Sequence, residues 1–216
     1  MKTLLIEART HGRVLVRETA GAPRGILIGF HGYMENAEIQ MARLESIPGS
    51  ENWTLVSVQA LNRFYRGRSQ DVVAGWMTRE DREAAIEDNI DYVNRVVATT
   101  RSADIPIVFA GFSQGVAMAF RAAVRGKASG DGIISVGADV PPELLADASR
   151  SFLPTLLARG EGDEWYTDAK LASDAAALTR RGMPPQTLTY RGGHEWTPEV
   201  SAAAARFVEA RFTTQP

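Results

Sequence analysis

The chain contains no cysteine. Disulfides, thiolate metal sites and a cysteine nucleophile are therefore excluded. No apolar stretch approaches the length of a membrane span. The opening segment, MKTLLIEARTHGRVLV, is interrupted by Glu7 and Arg9 too early for a signal-peptide core. Charge of one sign is not in surplus either: 24 Lys and Arg stand against 26 Asp and Glu, for a formal net charge of −2. Such a balance supplies no field that would draw nucleic acid or an anionic membrane. The expectation is a soluble, cytoplasmic protein with no nucleic-acid partner and no stable membrane insertion. Locally, Arg63, Arg66 and Arg68 form a small basic cluster, read as a solvated loop. Histidine is scarce, at three in 216 residues, so imidazole chemistry has few places to reside.

What the chain does have is apolar content. Hydrophobic residues make up 44%, enough for one well-buried core and a single domain spanning 1–216. No repeat or linker divides it. TLLIEA and RVLVRE, separated by RTHG, read as a β-hairpin. GILIGF (25–30), WTLVSV (53–58), IPIVFAGF (105–112) and GIISVG (132–137) are continuous apolar runs, the pattern of strands buried on both faces. PTLLARG (154–160) and QTLTYRG (186–192) are weaker versions. Ile86, Ile90, Val93 and Val97 mark one helical stripe, with Thr78 and Asp81 suited to start it. Residues 114–125, 166–181 and 197–212 also suit helices. The alternation predicts an α/β fold with a mostly parallel sheet covered on both faces. Ligands of such sheets bind beyond the carboxyl ends of the strands.

GFSQG (111–115) falls at one of those ends, where a strand gives way to a helix. Glycines on both sides of a serine suit a sharp, strained turn that projects the hydroxyl outward. The Gln114 N–H behind it, at a helix N-terminus, is aimed at a developing oxyanion. A serine hydroxyl needs a base. His11 belongs to the expected hairpin and reads as a turn residue; His31 lies in GFHGYMEN, directly after an inner strand. His194, in GGHEW after the last strand, is the choice for general base. The orienting carboxylate should come from a strand end between serine and base. Glu161, Asp163 and Glu164 follow the strand at 154–160; Asp163 is best placed, and Asp139 is the reserve. The HGY turn after residues 25–30 supplies a second oxyanion donor, the Tyr33 N–H, with His31 bracing the loop.

The set HGYMEN, GWM, GFSQG, RGEGDEWY and GGHEW, in this order and spread over residues 31–196, resembles the carboxylesterase, lysophospholipase and acyl-protein thioesterase branch of the α/β-hydrolases. The resemblance implies an α/β-hydrolase fold without a large cap. It implies Ser113 as nucleophile, Asp163 as acid, His194 as base, and oxyanion donors at Tyr33 and Gln114. It also implies an acyl ester or thioester substrate, and no metal or organic cofactor. One position departs from the pattern: Met34 stands where relatives commonly carry a second glycine.

The connection at 59–80 is long for a compact domain, which marks it as functional or disordered. Its Phe64, Tyr65, Trp76 and Met77 are candidates for an acyl pocket, or they staple the loop to the body. Trp165 and Trp196, each two residues beyond the acid or the base, either wall the site or brace its loops. The rival from another class is a non-catalytic small-molecule-binding protein on a hydrolase fold. The sequence leaves room for a homodimer.

Overall fold

The computed structural model describes residues 1–101 and 104–212. Its strands are β1 (Arg13–Arg17), β2 (Ile26–Phe30), β3 (Thr54–Gln59), β4 (Asn62–Tyr65), β5 (Val72–Gly75), β6 (Ile107–Phe112), β7 (Gly132–Val136), β8 (Thr155–Gly160) and β9 (Gln186–Tyr190). The helices are α1 (Ala37–Glu45), α2 (Arg82–Thr100), α3 (Gln114–Arg125), α4 (Pro142–Ala146), α5 (Asp168–Arg180) and α6 (Pro198–Phe212).

Seven strands form one sheet in the order β1-β3-β2-β6-β7-β8-β9, and β4 and β5 form a separate two-stranded ribbon. Every neighbouring pair of the large sheet is parallel except β1 with β3. β2, β6, β7 and β8 are buried at every residue, as central strands covered on both faces must be. On one face Val93 of α2, Val116 and Phe120 of α3 and Leu171 of α5 share a core with Ile28, Phe30 and Phe109. On the other, Leu44 of α1 and Val200 and Phe207 of α6 pack with Leu27, Val108 and Ile134. The carboxyl ends of β2, β6, β7, β8 and β9 consequently lie side by side.

The expected N-terminal hairpin does not form. Residues 1–12 lie outside any strand, and Leu4, Leu5 and Ile6 are exposed. Two bonds turn the chain away as it enters β1: the Tyr92 hydroxyl donates to Arg13 O (3.0 Å), and Arg63 donates to His11 O (2.9 Å). The segment runs instead along α2, where Leu5 and Ile6 line a cleft of about 510 Å³ with Ala84 and Ala85. The start of α2 also differs in detail. Asp81 is its N-cap, but its backbone is left-handed (φ +47°) and its side chain makes no cap bond.

The long connection is ordered as the β4–β5 ribbon, clamped onto the turn after β2. Met34 N–H donates to Ala74 O (3.1 Å) and Ala74 N–H to Glu35 O (2.8 Å). Arg66 of the basic cluster donates to Met34 O (2.7 Å), so at least two of its guanidinium groups hold backbone rather than only facing water. Among the described residues no helix is long and apolar enough to cross a membrane.

Candidate active site

β6 ends at Phe112 and α3 begins at Gln114, leaving Ser113 alone between strand and helix. Its backbone is strained, at φ 51° and ψ −124°, a region that costs a non-glycine residue on the order of 1–3 kcal/mol. Two hydrogen bonds hold it there: Ser113 N–H to Val136 O and Val116 N–H to Ser113 O, both 2.9 Å. The flanking glycines are needed for space. A β-carbon at Gly111 would lie 2.5 Å from Val116 Cα, and one at Gly115 would strike the Phe30 carbonyl.

The loops after β8 and β9 are sewn together by backbone: Glu161 N–H donates to Tyr190 O (2.9 Å) and Gly162 N–H to Gly192 O (2.8 Å). That seam brings Asp163 and His194 into contact, with Nδ1 of His194 2.8 Å from Asp163 Oδ2. The carboxylate is wholly occupied. Its other oxygen accepts the N–H groups of Trp165 and Tyr166, each at 2.9 Å, and the side chain is shut off from solvent. A carboxylate only accepts, so the proton of the neutral ring sits on Nδ1 and the Nε2 lone pair is free. Asp139, the reserve carboxylate, is half-exposed and pairs with Lys170 at 3.2 Å. Gly137, at the end of β7, lies against both partners: a β-carbon there would be 3.0 Å from His194 Cε1 and 3.4 Å from Asp163 Oδ2. Since the residue before it, Val136, binds Ser113 N–H, β7 ties the serine turn to the Asp–His pair. Among the described residues no hydrogen bond joins the Ser113 hydroxyl to the imidazole; such bonds are often long before substrate arrives.

The Tyr33 and Gln114 amides donate to no other described group. The Gln114 side chain is fixed at both ends, accepting from Trp76 N–H (2.8 Å) and donating to Met77 O (2.9 Å). His31 is spent on structure. Ala60 N–H donates to Nε2 (3.0 Å), which puts the ring proton on Nδ1, and Nδ1 donates to Gly32 O (2.7 Å). Burial holds its pKa below the ordinary value, in keeping with a neutral ring that has no nitrogen left for chemistry.

The expected pocket residues divide. Trp76 presents no surface to a ligand: it is fully buried, with Nε1 donating to the His31 carbonyl (2.8 Å). Its ring also packs against Phe30 (5.5 Å between centroids) and the His31 imidazole (5.4 Å), so the indole serves as a brace beneath the loop after β2. Met77 is half-buried with its sulfur 3.3 Å from Arg121 Nη1, and Trp196 is half-buried and donates to Ser201 Oγ (2.9 Å). Phe64 lies against the exposed Tyr33 ring, centroids 5.7 Å apart. Tyr65 and Trp165 are exposed.

Sequence reasoning missed Glu35, Arg43 and Phe112. Glu35 Oε2 accepts Gly32 N–H (2.7 Å) and both its oxygens bind the Arg43 guanidinium (2.5 and 2.6 Å). Arg43 in turn lies 3.9 Å over the Phe112 ring, which meets the His194 ring at 5.0 Å. Glu35 stands inside HGYMEN, but its partner is supplied by a helix that the periodicity of the chain does not announce.

No protein-family model and no curated protein matches the chain in sequence. Solved structures do match in shape. Acyl-protein thioesterase 2 of Zea mays superposes with a TM-score of 0.73 at 20% identity, covering 94% of this chain and 100% of its own. Esterase PE8 gives 0.75 at 21% identity over 93% and 98%. The Bacillus cereus carboxylesterase gives 0.71 at 16% identity over 92% and 94%. The chain has the α/β-hydrolase fold.

Proposed function

We propose that this protein is a serine hydrolase that cleaves carboxylic esters or thioesters through an acyl-enzyme. The observation that carries the reading is the 2.8 Å hydrogen bond between His194 and the buried Asp163 carboxylate, joined through β7 to a serine on a strained strand-to-helix turn. His194 Nε2 takes the Ser113 proton as Oγ attacks the acyl carbonyl carbon, and Asp163 stabilises the imidazolium. The oxyanion accepts the Tyr33 and Gln114 N–H groups, assisted by the positive end of α3. Collapse breaks the bond to the alcohol or thiol, which leaves with the proton from His194. Water, deprotonated by the same nitrogen, then releases the acid and restores the serine.

The esterase and thioesterase neighbours support this class; small to medium acyl esters, lysophospholipids and thioesters are the substrates proposed within it. Composition favours a cytoplasmic setting. The test is hydrolysis of p-nitrophenyl esters from acetate to palmitate by the wild type and Ser113→Ala, with fluorophosphonate labelling of both. Turnover and labelling that vanish in the variant are expected. Equal turnover in both proteins sinks Ser113 as the nucleophile; a folded wild type with neither turnover nor labelling sinks the reading and favours a binding protein.

A further inference from the structure

The Glu35–Arg43 ion pair touches both halves of the site without facing the reacting atoms. Its side chains are only 18% and 14% exposed. Burial alone would raise the Glu35 pKa; the Arg43 bonds and charge, with Gly32 N–H, reverse this and hold it below the usual glutamate value. The carboxylate therefore stays ionised and keeps all its donors. On one side it fastens Gly32, the residue before the Tyr33 amide, and the space there is full: a β-carbon on Gly32 would lie 3.0 Å from Glu35 Oε2 and 3.2 Å from Phe112. On the other side it holds the Arg43 guanidinium over Phe112, with Cζ 3.9 Å from the ring centroid, and that ring is tilted at 44° to the His194 imidazole. Gln40 adds a third contact to Arg43 (3.3 Å).

We infer that Glu35 and Arg43 are positioning residues that set the oxyanion loop and the His194 imidazole at a fixed separation, acting through Gly32 and through Phe112. The inference rests on the proposed hydrolase reading for its consequence in turnover, but its geometric content stands apart. A planar, bidentate guanidinium is required, since lysine can neither grip both carboxylate oxygens nor lie flat on a ring.

The experiment compares Glu35→Gln, Arg43→Met and Arg43→Lys with the wild type, each first shown to be folded by near-UV circular dichroism. On p-nitrophenyl esters, kcat is expected to fall about tenfold to a hundredfold with KM little changed, as for a misplacement of reacting groups. Arg43→Lys recovers only part of the loss. Independently of turnover, the downfield proton resonance of His194 Nδ1–H shifts or broadens in Glu35→Gln. An unmoved resonance in that folded variant overturns the inference whatever the turnover, as does an unchanged kcat in an active wild-type background. Should the wild type prove inert, the hydrolase reading fails while the resonance still decides this one.

Discussion

Gly137 sits directly beneath His194: a β-carbon on this glycine would come within 3.0 Å of Cε1 and 3.1 Å of Nδ1. The ring that binds Asp163 thus rests on bare backbone, and that backbone is left-handed, at φ +77°. Gly137→Ala should lose about 1–2 kcal/mol of stability from the left-handed conformation alone. It should also lose at least about tenfold in turnover as the ring is pushed from its seat. Urea denaturation and ester assays on one preparation separate the two effects. Turnover that stays at the wild-type level would show that the ring has another resting place.

Asp163 and Asp139 offer a direct comparison of carboxylates. Asp163→Asn keeps the shape but reverses the hydrogen-bond demand on Nδ1, so the imidazole takes the wrong tautomer. Turnover is expected to fall by about 10³–10⁴-fold. Asp139→Asn breaks only a half-exposed pair with Lys170 and should leave turnover near the wild-type value. The opposite ranking would move the acid to Asp139.

Met34 adopts φ +61° at the position where the resembled family commonly has glycine. A left-handed methionine costs about 1–2 kcal/mol, partly offset in a glycine variant by about 0.5–1 kcal/mol of extra unfolded-chain entropy. Met34→Gly is expected to raise the melting temperature slightly. A lowered value would mean that the Met34 side chain contributes more in contacts than its backbone costs.

Acid should weaken the Glu35–Arg43 pair. The folded-state pKa of Glu35 lies below its ordinary value of 4.5, so its stabilising contribution is complete above that value and is lost as pH falls through the folded pKa. The stability gap between wild type and Glu35→Gln, read by urea denaturation, should therefore be widest near neutrality and shrink below about pH 4.5. A gap independent of pH would show that the charge of Glu35 contributes nothing.

The sheet was legible because its central strands are continuous apolar runs, and α3 begins within GFSQG, at Gln114, and ends at Arg125 as its composition predicts. The failures have physical causes. TLLIEA has strand-like residues, yet pairing needs a neighbour at the right angle, and the bonds from Tyr92 and Arg63 steer it elsewhere. α1 has little apolar periodicity, since Gln40 is one of its three buried residues. Only Asn36, whose side chain accepts Ile39 N–H at 3.0 Å, marked its start. Without α1 in view, Arg43 had no place near the site. Ser113, Asp163 and His194 could be proposed from the sequence because each follows the end of a strand, β6, β8 or β9. The ion pair behind them was hidden because its members meet only in the folded chain.

β9 is both the last strand of the sheet and an outer one, paired with β8 alone. It delivers His194. The serine turn, by contrast, follows β6 at the centre of the sheet, between β2 and β7. On the proposed reading, local opening at the β9 edge would withdraw the imidazole and leave the Ser113 hydroxyl with no base, while the strands that hold the serine stay paired.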